Sequence, residues 1–157
     1  SIAYGPSIGS FGTANAAHPN KLYSSTFIGG TSSGVFTTGT ALATEKNCYA
    51  YSNGGTAYSG TGHTQTTSAA NDTSATGTAL DNIAYNTSNF TNVTAGSEDL
   101  HLPSGSALID VGTDTSGESA PLNFTTDIDG ITRSGTWDIG ADEFVASGGA
   151  RRVIFIN

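Results

Sequence analysis

Two short runs of aromatic and β-branched residues, Thr26-Phe27-Ile28 and Val35-Phe36-Thr37, can be laid over a second pair, Cys48-Tyr49-Ala50 and Ala57-Tyr58-Ser59, at an offset of about 22 residues. A repeat of that length belongs to solenoids, in which one unit cannot bury its apolar face alone and neighbours must stack. Gly29-Gly30, Ser33-Gly34 and Asn53-Gly54-Gly55 punctuate the runs, and Gly and Asn accept the positive φ of tight turns. The pattern reads as stacked rungs of short strands. A β-sandwich of short, evenly spaced strands gives similar punctuation and is the alternative.

Composition agrees with strands and disagrees with long helices. Charged residues make up 11% of the chain and hydrophobic ones 36%, and the Gly, Ser, Thr and Asn that fill the remainder favour turns and extended backbone. The runs Tyr23 to Ile28, Cys48 to Tyr51, Leu108 to Val111 and Val153 to Ile156 supply material for a core and argue against disorder. At 157 residues the chain suits one domain. Residues 1–20 read as an extended N-terminal arm or loosely packed cap, 21–147 as the body, and the polar stretch 59–77 as an excursion from the core. After Gly148-Gly149 comes a tail, 148–157, in which Arg151 and Arg152 precede the apolar run Val153, Ile154, Phe155 and Ile156. Such a strand must be covered by its own fold or by a sheet of another subunit.

The net charge is −8 and Lys plus Arg number five, which leaves no basic face for phosphates and makes nucleic acid a poor partner. Acidic glycans are disfavoured for the same reason unless calcium reverses the local sign; neutral glycans remain compatible. Cys48 is the only cysteine, so no intrachain disulfide forms, and the thiol reads as a small buried side chain. No apolar run approaches the length of a membrane span, and the first residues lack the regions of a signal peptide.

Candidate chemistry is sparse. Gly30-Thr31-Ser32-Ser33-Gly34 has the spacing of a nucleophile elbow, but Val35-Phe36-Thr37 does not begin the helix that such an elbow needs, so a turn is the better reading. His18, His63 and His101 lack the close spacing of zinc ligands. Asp127, Asp129, Asp138, Asp142 and Glu143 form the densest acidic set. Within it Asp127 and Asp129 offer hard oxygen donors suited to calcium, although salt bridging and turn formation are the better reading and no cofactor is expected. Tyr49, Tyr51 and Tyr58 are the candidates for sugar stacking, since tyrosine has an apolar face and a polar tip. Asn71, Asn86, Asn89, Asn92 and Asn123 stand in glycosylation sequons.

From Asn89 to Phe144 the chain carries Phe90, then Asp99-Leu-His-Leu-Pro-Ser-Gly-Ser-Ala-Leu-Ile-Asp110-Val-Gly112, then Asp127-Ile-Asp-Gly-Ile-Thr-Arg133, then Asp138-Ile-Gly-Ala-Asp-Glu143. This succession resembles the closing segment of right-handed parallel β-helix proteins, found on bacterial surface proteins and on phage particles. The resemblance implies that Leu100, Leu102, Leu108, Ile109 and Ile139 cap the open end of the core, that Gly112, Gly130 and Gly140 permit turns, and that Arg133 pairs with Asp127, Asp138 or Glu143. The whole chain looks similar to phage capsid decoration or fibre proteins. It is therefore expected to be an all-β, short right-handed parallel β-helix with closing segment 89–144, and a non-enzymatic structural protein at a virion surface. Its expected partners are other virion proteins and itself, as a homo-oligomer joined through the arm and Arg151 to Ile156. The alternatives are an extracellular or bacterial cell-surface module that binds glycans, or a glycan-cleaving fragment using Asp127, Asp129 or Asp138.

Overall fold

The computed structural model describes residues 20–31, 33–37, 42–77 and 80–146, together with the backbone of 2–4 and 8–10. Ten short strands follow one another: β1 (Ile2–Tyr4), β2 (Ile8–Ser10), β3 (Asn20–Tyr23), β4 (Thr26–Ile28), β5 (Ser33–Phe36), β6 (Ala43–Lys46), β7 (Tyr49–Tyr51), β8 (Tyr58–Ser59), β9 (His63–Thr66) and β10 (Ala69–Ala70). Consecutive strands visit three sheets in turn, giving the orders β1-β4-β7-β10, β2-β5-β8 and β3-β6-β9. The strand pairs are parallel, and no helix occurs among the described residues. The protein is all-β and built of parallel sheets. Parallel ladders correct the sandwich alternative, which rests on antiparallel hairpins.

The repeat is present, with its register one residue from the sequence overlay. Thr26, Phe27 and Ile28 pair with Tyr49, Ala50 and Tyr51, and Val35 pairs with Tyr58. Because successive side chains in a strand face opposite ways, a slip of one residue exchanges inside for outside. Phe27, Ala50 and Ala70 therefore share the inner face with Leu22, Val35, Cys48, Ala57, Tyr58 and Ala75. Ile28, Tyr49 and Ala69 belong to a second apolar cluster on the other face. Both faces of this sheet are covered, which explains why β4 is buried at every position and shows no alternation of polar with apolar residues.

A corner recurs in three successive rungs. Ser24, Asn47 and Thr67, each between a strand of the β3-β6-β9 sheet and one of the β1-β4-β7-β10 sheet, have left-handed φ of 43°, 52° and 50°. Gly60 marks a second close approach: its φ is 101°, and an added Cβ would stand 2.0 Å from the carbonyl oxygen of Thr37.

Ile2–Tyr4 and Ile8–Ser10, inside the stretch 1–20 read as an arm or loosely packed cap, pair with β4 and β5. One expectation about chain organisation changes. The polar stretch 59–77 is not an excursion, since β9 and β10 complete a further rung. Its Thr and Gln side chains hid a ladder made by backbone groups, while the buried Gln65 and Ala70 fill inward positions and Ala69 faces the outer cluster.

Asp72, Ser74, Ala75 and Leu80 pack beside the last strands. Asp72 Oδ2 accepts the Ala57 amide at 2.8 Å, Ser74 Oγ accepts the Tyr58 amide at 2.9 Å, Ala75 enters the inner cluster, and Leu80 bridges to Ala69. Residues 80–146 then cross the outer face of the β1-β4-β7-β10 sheet in turns and bends. Phe90, Leu100, Leu102, Leu108 and Ile139 pack there against Ile28, Tyr49 and Ala69. These apolar residues cover a side of the stack; the expectation that they cap its open end is corrected.

Candidate functional site

Two of the acidic set, Asp138 and Glu143, gather around Arg133. This guanidinium is buried, with its side chain 0% exposed. Nη1 donates to Glu143 Oε2 at 3.0 Å, and Nη2 donates to the carbonyls of Gly140 at 3.1 Å and Ala141 at 2.9 Å. Glu143 also accepts the amides of Asp138 and Ser134. Asp138 accepts the Asp110 amide through Oδ1 at 2.7 Å and the Phe144 amide through Oδ2 at 2.5 Å. Burial pushes Asp138 up to about 6 against these amide contacts. Of the three partners expected for Arg133, the structure selects Glu143. Each oxygen of Asp138 thus accepts an amide inside the fold, where the residue is buried.

Asn47 fastens the segment to the rungs. From its place in the repeated corner, its Oδ1 accepts the Thr113 amide at 2.8 Å and its Nδ2 donates to the Thr113 carbonyl at 2.7 Å. Thr26 Oγ1 accepts the Ala141 amide, and an ion pair joins Lys46 to Glu118.

A second polar cluster lies near the end of the segment. His101 Nδ1 donates to Asp99 Oδ1 and Nε2 donates to Asp129 Oδ2 at 3.1 Å. Asp142, 5% exposed, accepts the Leu102 amide through Oδ2 at 2.7 Å. His101, Asp129 and Asp142 each offer a ligand atom, all within 4.8 Å of one another. Burial opposes a charge on His101, but the hydrogen bond to Asp99 and the charges of Asp142, Asp99 and Asp129 hold it above the usual histidine range. Burial likewise raises Asp142. The calcium pair read from sequence is divided: Asp127 Oδ1 accepts the amides of Asp129 and Ile131 and shapes the turn, while Asp129 joins His101. Sequence spacing missed His101 and Asp142 because 40 residues separate Leu102 from Asp142 and only the fold gathers them.

A third constellation is inside the rungs. His63 Nδ1 donates to Glu45 Oε1 at 2.7 Å and Nε2 donates to the Ser59 carbonyl at 3.0 Å. Burial opposes a charge on the ring, but the hydrogen bonds to Glu45 and the Ser59 carbonyl hold it above the usual histidine range. Glu45 is 0% exposed, so the pair is a buried link between β6 and β9.

The tyrosine platform is not formed. Tyr49 is buried, donates to the Ile83 carbonyl at 2.9 Å and meets the Phe90 ring edge-on at 5.0 Å. Tyr58 is buried on the inner face and donates to the Cys48 carbonyl. Tyr51, half-buried, packs on Tyr85 at 4.5 Å. Tyr49 and Tyr58 thus lie inside the fold, and of the three only Tyr51 keeps partial exposure. A cleft of about 230 Å³ does open nearby between rung and segment, lined by Tyr23, Phe124, Thr126, Asp127, Ile128 and Arg133 among others. Gly34 lies within β5, so a strand follows where a nucleophile elbow needs a helix. Asn89 is buried, and its amide is held by the Ala84 carbonyl and the Ala107 amide, which removes that sequon. His18 and the tail from Arg151 to Ile156 lie outside the described residues.

Comparison of the chain with protein-family models, curated proteins and solved structures finds no match. No helix among the described residues is long and apolar enough to cross a membrane.

Proposed function

We propose that the chain is a short right-handed parallel β-helix with its closing segment folded along one side, and that it serves as a non-enzymatic structural protein of a phage virion surface, in capsid decoration or a fibre. The observation that carries this reading is the use made of its densest charged set. Arg133, Asp138 and Glu143 are buried and bound to main-chain groups and to each other, an arrangement suited to holding a segment in place. Three parallel ladders visited in turn support the β-helix.

Among the described strands β1, β2 and β3 each stand at the edge of their sheet, so the first rung offers ladder groups to an added strand. That supports assembly with copies of itself and with other virion proteins, the apolar tail Val153, Ile154, Phe155 and Ile156 providing the contact with Arg151 and Arg152. The test is the solution mass by light scattering, with and without residues 151–157. A trimer or larger assembly lost on truncation supports the reading; a monomer in both forms refutes assembly through the tail.

A second reading, an extracellular or bacterial cell-surface glycan-binding module, is favoured by the cleft beside Tyr23 and Phe124, where aromatic carbon faces Thr126 and Asp127. It requires saccharide affinity on a glycan array that falls in Phe124→Ala. Silence across the array rejects it.

A further inference from the structure

We propose that His101, Asp129 and Asp142 bind a divalent transition-metal ion of the zinc type. One nitrogen and two carboxylate oxygens converge from three distant parts of the closing segment to within 4.8 Å of one another. Donors about 2.1 Å from zinc are roughly 3 to 4 Å apart, so a contraction of an ångström or less closes the set. Asp142 is already aimed, since the Leu102 amide fixes its Oδ2 at 2.7 Å. Asp129 rides on the turn that Asp127 caps and is half-exposed, so it can move toward the ion.

The remaining features match what a metal needs beyond its ligands. His101 gives its Nδ1 proton to Asp99, the outer carboxylate that orients a ligating imidazole and presents Nε2 to the ion. A cavity of about 20 Å³ lies against His101, Asp129, Asp142 and Glu143, room for roughly one water as a further ligand. Two carboxylates beside one imidazole leave a local excess of negative charge that a divalent cation neutralises. An imidazole nitrogen in the set favours zinc, or cobalt in its place, over calcium, which takes oxygen donors. On binding, the proton on His101 Nε2 is released to solvent and the Nε2–metal bond replaces the contact to Asp129.

The test uses the full chain stripped with a chelator and titrated with Co²⁺ by visible absorption, then with Zn²⁺ by competition. One equivalent per chain is expected. Asp129→Asn, whose side chain is exposed enough to leave folding intact, and His101→Gln should each lose affinity at least about 100-fold, and Asp99→Asn roughly 10- to 100-fold. Asp114→Asn, an exposed carboxylate elsewhere, should bind as the parent does. Circular dichroism confirms that each variant is folded. No binding, binding unchanged in Asp129→Asn and His101→Gln, or a site that takes Ca²⁺ and refuses Co²⁺ and Zn²⁺ would each overturn the proposal.

Discussion

Replacing Arg133 by Met removes the charge from the centre of the closing segment while keeping much of the side-chain volume. The guanidinium is fully buried and donates to Glu143 and to the carbonyls of Gly140 and Ala141. After substitution the Glu143 carboxylate stays buried with only amides for partners, and two carbonyls lose their donor. Breaking one side of a buried pair costs about 3 to 5 kcal/mol, a large share of the roughly 5 to 15 kcal/mol that stabilises a domain. With a urea dependence of about 2 kcal/mol per molar, the unfolding midpoint should fall by about 2 M. Trp137 is the only tryptophan and its ring lies 5.5 Å from the guanidinium, so its fluorescence reports the transition, with circular dichroism as the second probe. Arg133→Met combined with Glu143→Gln should lose less than the sum of the single changes, because neither charge is then left alone. A loss below about 1 kcal/mol for Arg133→Met, or strict additivity in the double variant, would refute the assignment of Arg133 as the clamp.

Other consequences are as direct. The His63–Glu45 pair sets a pH dependence: burial opposes the charge, but Glu45 and the Ser59 carbonyl raise His63 above its ordinary 6.5. The stability it contributes is therefore complete below pH 6.5, is lost as pH rises through the folded value, and should be absent from His63→Gln in urea titrations across that window. Gly60→Ala forces a Cβ to within 2.0 Å of the Thr37 carbonyl at φ 101°; a loss of more than about 2 kcal/mol is expected in thermal unfolding. Cys48 is buried, its thiol donating to the Leu22 carbonyl and burial pushing its pKa upward. It should resist a thiol reagent in the native protein and react within the unfolding time in urea.

Strands and their repeat were legible from the sequence because inward columns such as Phe27 over Ala50 need apolar residues at a fixed spacing. The register was not, since Thr26, Ile28, Tyr49 and Tyr51 are as apolar or aromatic as the inward residues, and an overlay by composition cannot tell a sheet covered on both faces from one covered on a single face. The β9 and β10 rung was hidden for a different reason: backbone ladders do not require large side chains, and small Ala70 inside and Ala69 outside suffice for its two faces. In the closing segment the motif spelled out its own clamp, and Arg133 with Glu143 was among the pairings it implied. The grouping of His101 with Asp129 and Asp142 depends on contacts between distant turns that no local spacing records.

Hydrogen exchange resolved along the chain tests most directly whether the closing segment is an integral wall of the stack. The amides of Leu102, Asp110, Asp138 and Phe144 bind buried carboxylates and those of Ile139 and Gly140 bind the carbonyls of Leu108 and Asn47. These six should exchange as slowly as the ladder amides of β4 and β7, and faster in Arg133→Met. Protected rungs beside a rapidly exchanging segment 100–144 would contradict the wall, and with it the structural role of its charged residues.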